Sequence, residues 1–330
     1  PMTDRNSLDE SWNKYWEHGF LTSCRNAFSG NYDGSIRARW EGLFASLDPG
    51  HRVLDICTGN GAIAMIANEV SRNNHLELEI HGIDAAAIRP HQTVTEGREL
   101  LEGIRFKGRT PAEDTGFDDG YFHAIVGQYA LEYTDEQACV REMARISAPG
   151  ARLQFIIHHD RSIVMETSRE ELRNAAILFE ETRIFEHAAR LIEQAGAATT
   201  ATEREALRRD PVAEAAREAL NSAAAVVSEA LQASPHPQLL QMALDNVAQA
   251  YRLLGPDGKD AALSHLAESR QRIDANVDRL KDLMAAGRTE SQIDAIRSYF
   301  DDEGFITRAA DVIHHEGGPL MGWLISATRP

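Results

Sequence analysis

The sequence predicts an α/β fold, a doubly wound and mostly parallel sheet of seven strands with an all-helical insertion. Three observations carry this expectation. Short apolar strand patterns alternate with helical patterns from residue 50 to 160, residues 161–288 hold no strand pattern, and strand character returns only near the end. Alternation of strand and helix favours parallel strands joined by crossover helices, which cover both faces of the sheet.

The elements follow in order. Arg52 to Ile56 is a short apolar strand, followed by a glycine-bearing turn and the helical stretch AIAMIANEV. LELEIHGID, IRFKG, YFHAIVGQ and ARLQFIIHH read as the second to fifth strands. After Asp160 the chain turns rich in Ala, Glu, Arg and Leu. Breaks at Pro211, at SPHP (Ser234 to Pro237) and at GPDG (Gly255 to Gly258) divide this stretch into about four helices. Leu263, Leu266, Ile273, Val277, Leu280 and Met284 form a near-heptad stripe on a helix about 40 Å long, and such a stripe needs a partner helix. SQIDAIRSYF is a helix, and ADVIHHE and MGWLISATR form a hairpin around Glu316-Gly317-Gly318-Pro319. The expected organisation is an N-terminal helical segment over 2–49, an α/β domain over 50–160 and 289–330, and a helical insertion over 161–288.

Composition narrows the function. The chain has 330 residues and a formal charge of −17, and its only lysines are Lys14, Lys107, Lys259 and Lys281. Without a polybasic stretch, neither nucleic acid nor an anionic membrane surface is an expected partner. Cys24, Cys57 and Cys139 make no CxxC pair, which argues against a disulfide framework or a thiolate zinc site. No apolar run reaches the roughly 20 residues that span a bilayer, and TDRNSLDESW is too polar for a signal peptide, so a cytoplasmic protein is expected.

The chemistry concentrates in VLDICTGNGAIA, residues 53–64. A glycine turn between strand and helix lets a ligand approach the backbone, and the helix start offers unpaired N–H groups. Asp55 at the strand end would repel a pyrophosphate but suits a cationic amino-acid group. The segment resembles the first motif of class I S-adenosylmethionine-dependent methyltransferases: Asp55, Gly59 and Gly61 match it, and Cys57 stands where a first glycine is usual. HGID, ending in Asp84, the run PAEDTGFDDGYFHAIVGQYALEY and the Pro149-Gly150 turn resemble the family's later motifs in the right order.

The resemblance implies a Rossmann-like methyltransferase fold and S-adenosyl-L-methionine as cofactor. It implies a cofactor site made of Asp55, Cys57, Thr58, Gly59, Asn60, Gly61, Asp84, Ala85, Ala112, Glu113, Gln128 and Tyr129. Asp84 would grip the ribose diol, and Ala112 and Glu113 would border the adenine; Pro111 replaces a carboxylate often found beside them. The aromatic N-terminal stretch supplies Tyr15, Trp16, Tyr32 and Arg37 as lid or substrate residues. His158 and His159, at the end of the fifth strand, are the candidates for a general base, and only one of them should face the cleft because adjacent strand residues point to opposite faces. No metal is expected: His158, His159, Asp160 and His314, His315, Glu316 share an edge of the sheet, but their spacing matches no metal motif.

The expected function is O- or N-methylation of a small-molecule acceptor, and the insertion is expected to act as a lid and to allow a homodimer. Two alternatives compete. GNGAIA also fits the dinucleotide fingerprint GxGxxA of a dehydrogenase, against which stand Asp55 and the C-terminal hairpin. The chain could instead be a non-catalytic S-adenosylmethionine-binding regulatory or interaction protein, against which stands the intact set Asp55, Gly59, Gly61 and Asp84.

Overall fold

The computed structural model describes residues 12–23, 30–198, 200–254 and 258–330, without the side chain of Arg204. Cys24, part of the N-terminal segment and most of the GPDG turn lie outside the described residues. Two compact units are present, one made of residues 1–166 and 283–330 and the other of residues 167–282.

The first unit holds the sheet. A short helix, α1 (12–17), precedes α2 (Gly34–Phe44), β1 (Arg52–Ile56), α3 (Ala62–Asn74), β2 (Glu79–Ile83), α4 (Pro90–Thr93), β3 (Arg105–Lys107), β4 (Phe122–Gln128), α5 (Glu136–Ile146) and β5 (Ser147–His158). After the helical unit come α12 (Glu290–Asp302), β6 (Ile306–Thr307), β7 (Asp311–His314) and β8 (Leu320–Thr328). The sheet runs β3-β2-β1-β4-β5-β8-β6, with β7 also paired to β8. Strands β1 to β5 are parallel, and β8 is antiparallel to β5, β6 and β7. This is the doubly wound, Rossmann-like architecture expected, with β6 as an eighth strand. That strand is two residues long, too short to leave a period in the sequence.

Alternation along the strands splits the core in two. Val53, Ala124, Val126, Ile156 and Leu324 face one side with Ile36, Trp40 and Phe44 of α2 and Ile63 and Ile66 of α3. Leu54, Ile125, Leu153, Phe155, Ile157 and Ile325 face the other with Val140 and Met143 of α5 and Ile293, Ile296 and Phe300 of α12. Because β1 and β4 are the central strands, their near-continuous apolar runs are the burial of both faces at once.

The second unit is helical. It lies between α6 (Ile163–Ala176) and α11 (Gly258–Ala286), whose outer turns belong to the first unit, and contains a π-turn (Ile177–Glu181), α7 (Ile184–Ala197), α8 (Ala201–Arg208), α9 (Pro211–Ala233) and α10 (Gln238–Leu254). Among the described residues, six helices thus stand where about four were expected. Pro211 sits at the first position of α9, where its missing N–H costs nothing, and SPHP separates α9 from α10. The breaks that the sequence hides are Arg183, a left-handed residue at φ 48°, and Thr200, which caps α8 with Glu203; neither uses Pro or Gly. The stripe of α11 from Leu263 to Val277 is covered within its own unit: Leu266 and Ile273 are buried with Leu220, Val227, Leu240 and Val247, and Leu263 and Val277 pack on them. Met284, at the end of the stripe, packs on the core of the first unit. Truncating Leu266 to Ala is expected to cost about 2–5 kcal/mol in urea unfolding followed by circular dichroism, with no change of oligomeric state.

At the opposite edge of the sheet from the strand ends, His51 and His123 stack with ring centroids 4.2 Å apart. Each Nδ1 accepts a backbone N–H, from Asp48 and Arg52 respectively. Burial, His51 and Arg52 lower the pKa of His123. A lowered folded value means that the unfolded chain binds more protons near pH 6.5, so this contribution is complete above that pH and lost as pH falls through the folded value. Thermal unfolding between pH 7 and 5 should show a steeper loss for wild type than for His123→Phe.

Candidate functional site

The chain must reverse from β1 into α3 within residues 57–61, and three of these have positive φ: Cys57 at 49°, Gly59 at 53° and Gly61 at 89°. Glycine takes this conformation freely, whereas Cys57 pays about 1–2 kcal/mol for its Cβ. The turn is fixed by Thr58 N–H donating to the Ile83 carbonyl at 2.9 Å and Gly61 N–H to the Thr58 carbonyl at 2.8 Å.

Two acids flank it. Asp55 is buried, and the Thr58 hydroxyl donates to its Oδ2 at 2.5 Å. Burial pushes the Asp55 carboxyl up to about 7, against the Thr58 and Ala64 hydrogen bonds, and nearby Asp84 adds to the rise. Asp84 follows β2; its Oδ2 accepts the Gly59 N–H and its Oδ1 the Ala86 N–H, both at 2.8 Å. One carboxylate thereby ties the turn after β1 to the exit of β2. Ala85 beside it is exposed, and the Asn60 side chain is buried, donating to the Trp16 and Phe20 carbonyls at 2.9 Å. Ala112 lies in the core, and the Glu113 carboxylate accepts the Asp135 N–H at 2.9 Å ahead of α5.

At the end of β4, Gln128 is buried with its Oε1 accepting the Trp40 indole N–H at 2.6 Å. Its Nε2 is a buried donor with no partner among the described residues. Tyr129 has φ 54°, a strained value for an aromatic residue, and its ring stacks on His158 with centroids 3.9 Å apart. His159 stacks instead on Trp323 at 4.4 Å, and its Nδ1 lies 2.8 Å from the Asp160 carboxylate. Burial lowers the pKa of His159. The two imidazoles therefore turn to opposite faces of the sheet, and His158 is the one beside Tyr129.

The N-terminal candidates separate. Trp16 lies over the glycine turn, and Tyr15 stacks edge-on against it at 5.0 Å while donating its hydroxyl to the Thr22 carbonyl at 2.7 Å. Tyr32 is buried near Tyr129, ring centroids 6.4 Å apart. Arg37 is committed to Glu41 and Glu69, at 2.6 and 2.5 Å, and joins α2 to α3. His314, His315 and Glu316 are likewise committed. The Glu316 carboxylate accepts the Ser35 N–H at 2.8 Å at the start of α2, His315 lies 2.7 Å from Asp33, and the His314 carbonyl accepts the Ser35 hydroxyl at 2.8 Å. Among the described residues no group of three or more His, Cys, Asp or Glu side chains is placed to hold a metal, and no helix is long and apolar enough to cross a membrane.

Two residues at this edge escape sequence reasoning. Glu132 is buried, with Oε1 accepting the His158 N–H at 2.7 Å and Oε2 without a hydrogen-bond partner among the described residues. Burial pushes its carboxyl up to about 7. An acid inside the apolar run QYALEY was the available signal. Arg288 donates its backbone N–H to the His158 carbonyl at 2.8 Å, accepts from Asp160 at 3.1 Å, and reaches Glu136 and the Glu132 carbonyl with its guanidinium, each at 2.8 Å. It closes the neck where the chain leaves β5 and returns, and no local pattern announces a partner that far along the chain.

No family model and no curated protein matches the chain. Solved structures similar to it include the YcgJ protein of Bacillus subtilis, at 15% identity over 88% of this chain and 98% of that one, with a TM-score of 0.36. They also include geranyl diphosphate C-methyltransferase of Streptomyces coelicolor A3(2), at 20% identity over 47% and 65% of the two chains and a TM-score of 0.34. A third is an S-adenosylmethionine-dependent methyltransferase of Mesorhizobium loti, at 18% identity over 39% and 56% and a TM-score of 0.31. The chain covers less than two thirds of the length of the last two. At these scores the fold assignment rests on the strand order of the sheet itself.

Glu132 gives this edge a pH signature. Its raised folded value means that its contribution to stability is complete below the ordinary carboxyl value of 4.5 and is lost as pH rises through about 7. Glu132→Gln keeps an acceptor for the His158 N–H and removes the titration. Urea midpoints from pH 5 to 8 should fall for wild type relative to this variant, and parallel curves would contradict it.

Proposed function

We propose that this chain is an S-adenosylmethionine-dependent methyltransferase acting on a small-molecule acceptor. The observation that carries the proposal is the arrangement of Asp55, Gly59 and Asp84 at the carboxyl edge of β1 and β2, where open α/β sheets bind ligands. The donor set suits the cofactor. A carboxylate accepts from several donors at once, so one already held by the Gly59 and Ala86 N–H groups is the kind of group that suits the vicinal hydroxyls of a ribose, and Gly59 presents bare backbone where a Cβ would intrude. A buried acid rather than a basic group stands at the end of β1. That choice disfavours a pyrophosphate and favours a ligand with positive charge, which also weighs against the dehydrogenase reading.

Bound S-adenosylmethionine supplies a methyl carbon already activated by its cationic sulfur. The protein has to orient the acceptor nucleophile in line with that carbon and keep water out, which is worth roughly 7–11 kcal/mol. Asp84 and Gly59 fix the nucleoside half. Asp55 offsets the positive charge, and binding of a cation beside it favours its ionised form. The buried Gln128 amide offers a donor to the acceptor side, and Tyr129, His158 and Tyr32 give that side aromatic walls. In this account His158 orients the acceptor, and His159, held between Trp323 and Asp160, supports the strand end.

Asp84→Ala removes the carboxyl acceptor and Gly59→Val puts a branched side chain into a left-handed turn. Each variant should bind S-adenosylhomocysteine about 10- to 100-fold more weakly in calorimetric titration, the range that loss of one or two charged hydrogen bonds produces. Unchanged affinity in both folded variants would remove the assignment.

A further inference from the structure

The side chain that now lies against the glycine turn is Trp16. A Cβ built on Gly59 would fall 2.5 to 2.8 Å from three atoms of its indole, so the ring rests directly on the backbone face that the turn leaves bare. The indole is buried, at 8% exposure, in an apolar cluster with Ala86 and Ile88, onto which Phe106 packs. Those residues follow Asp84 and lie on β3, so the ring fills the apolar ground beside the ribose-binding acid. Further contacts hold α1 there. Asn60 binds the Trp16 and Phe20 carbonyls, the Asn13 side chain accepts the Ala87 N–H at 2.6 Å, and Trp12 stacks on Trp16 and meets Tyr133 edge-on, both at 5.7 Å.

An indole and a purine are flat bicycles of nearly equal size. We propose that Trp16 is a built-in competitor for the nucleoside half of the cofactor, so that α1 must swing away from Gly59 before the cofactor can enter. The proposal rests on the assignment of that cofactor and departs from a simple roof over it: a roof would add contacts to the bound ligand, whereas a plug takes its place. The chain then binds only from its open state, and the apparent dissociation constant exceeds the intrinsic one by the inverse of the open fraction. Among the described residues, polar contacts between α1 and the loops after β1 and β2 run through Asn13 and Asn60, side chains that can release the helix without stranding a buried charge.

The test is calorimetric titration of the full chain with S-adenosylhomocysteine, comparing wild type, Trp16→Ala and Trp16→Phe, with circular dichroism to show that the sheet domain is folded. A plug predicts affinity at least ~10-fold tighter in Trp16→Ala, with Trp16→Phe in between. In stopped flow, the binding rate of wild type should level off with rising ligand, limited by opening, and that plateau should vanish in Trp16→Ala. Equal or weaker binding by Trp16→Ala, with wild type binding normally, would overturn the plug and leave the cofactor assignment standing. Absence of binding by all three proteins would overturn both.

Discussion

The site depends on a single carboxylate. Asp84 accepts one N–H from the turn after β1 and one from the segment after β2, and with the Thr58 to Ile83 backbone hydrogen bond it holds the two strand exits together. Its geometry is available only because β1 and β2 pair in parallel register from Arg52–Glu79 to Ile56–Ile83, which brings both strand ends to one level. The left-handed Gly59 then turns its N–H toward the acid. A buried acid held by two backbone donors is satisfied where a lone one would not be.

A second set of constraints governs the neighbouring strand ends. Glu132, His158 and Arg288 lock the exit of β4, the exit of β5 and the return of the chain from the helical unit into one network. The helical unit has its own core, with Leu178, Ile184, Leu240 and Ile273 buried in it. β5 and β8 keep an antiparallel register from Arg152 to His158.

The fold was legible because its signals are local. The apolar runs of β1, β4 and β5 differ plainly from the Ala- and Glu-rich helices that follow them, and the glycine turn with Asp55 and Asp84 lies within one strand-turn-helix-strand stretch. What stayed hidden depends on distant partners. The two-residue β6 has no period, and the break at Arg183 uses a residue that carries no turn signal. The commitment of Arg37 to Glu69, and of Glu316 to the start of α2, requires the packed structure to be seen. Glu132 and Arg288 are 156 positions apart, and a single sequence holds nothing that pairs them. The turn after β1 and the acids at the ends of β1 and β2 were thus readable, whereas the surroundings of each aromatic or charged side chain near them were set by its neighbours across the sheet.

The central claim is that the edge of β1 and β2 was shaped for a cationic sulfonium nucleoside and not for a dinucleotide. Calorimetric titration of the wild-type chain with S-adenosylmethionine and, separately, with NAD measures this directly. The account predicts saturable binding of S-adenosylmethionine at one site per chain and none of NAD at the same concentrations. Binding of NAD without binding of S-adenosylmethionine would contradict it.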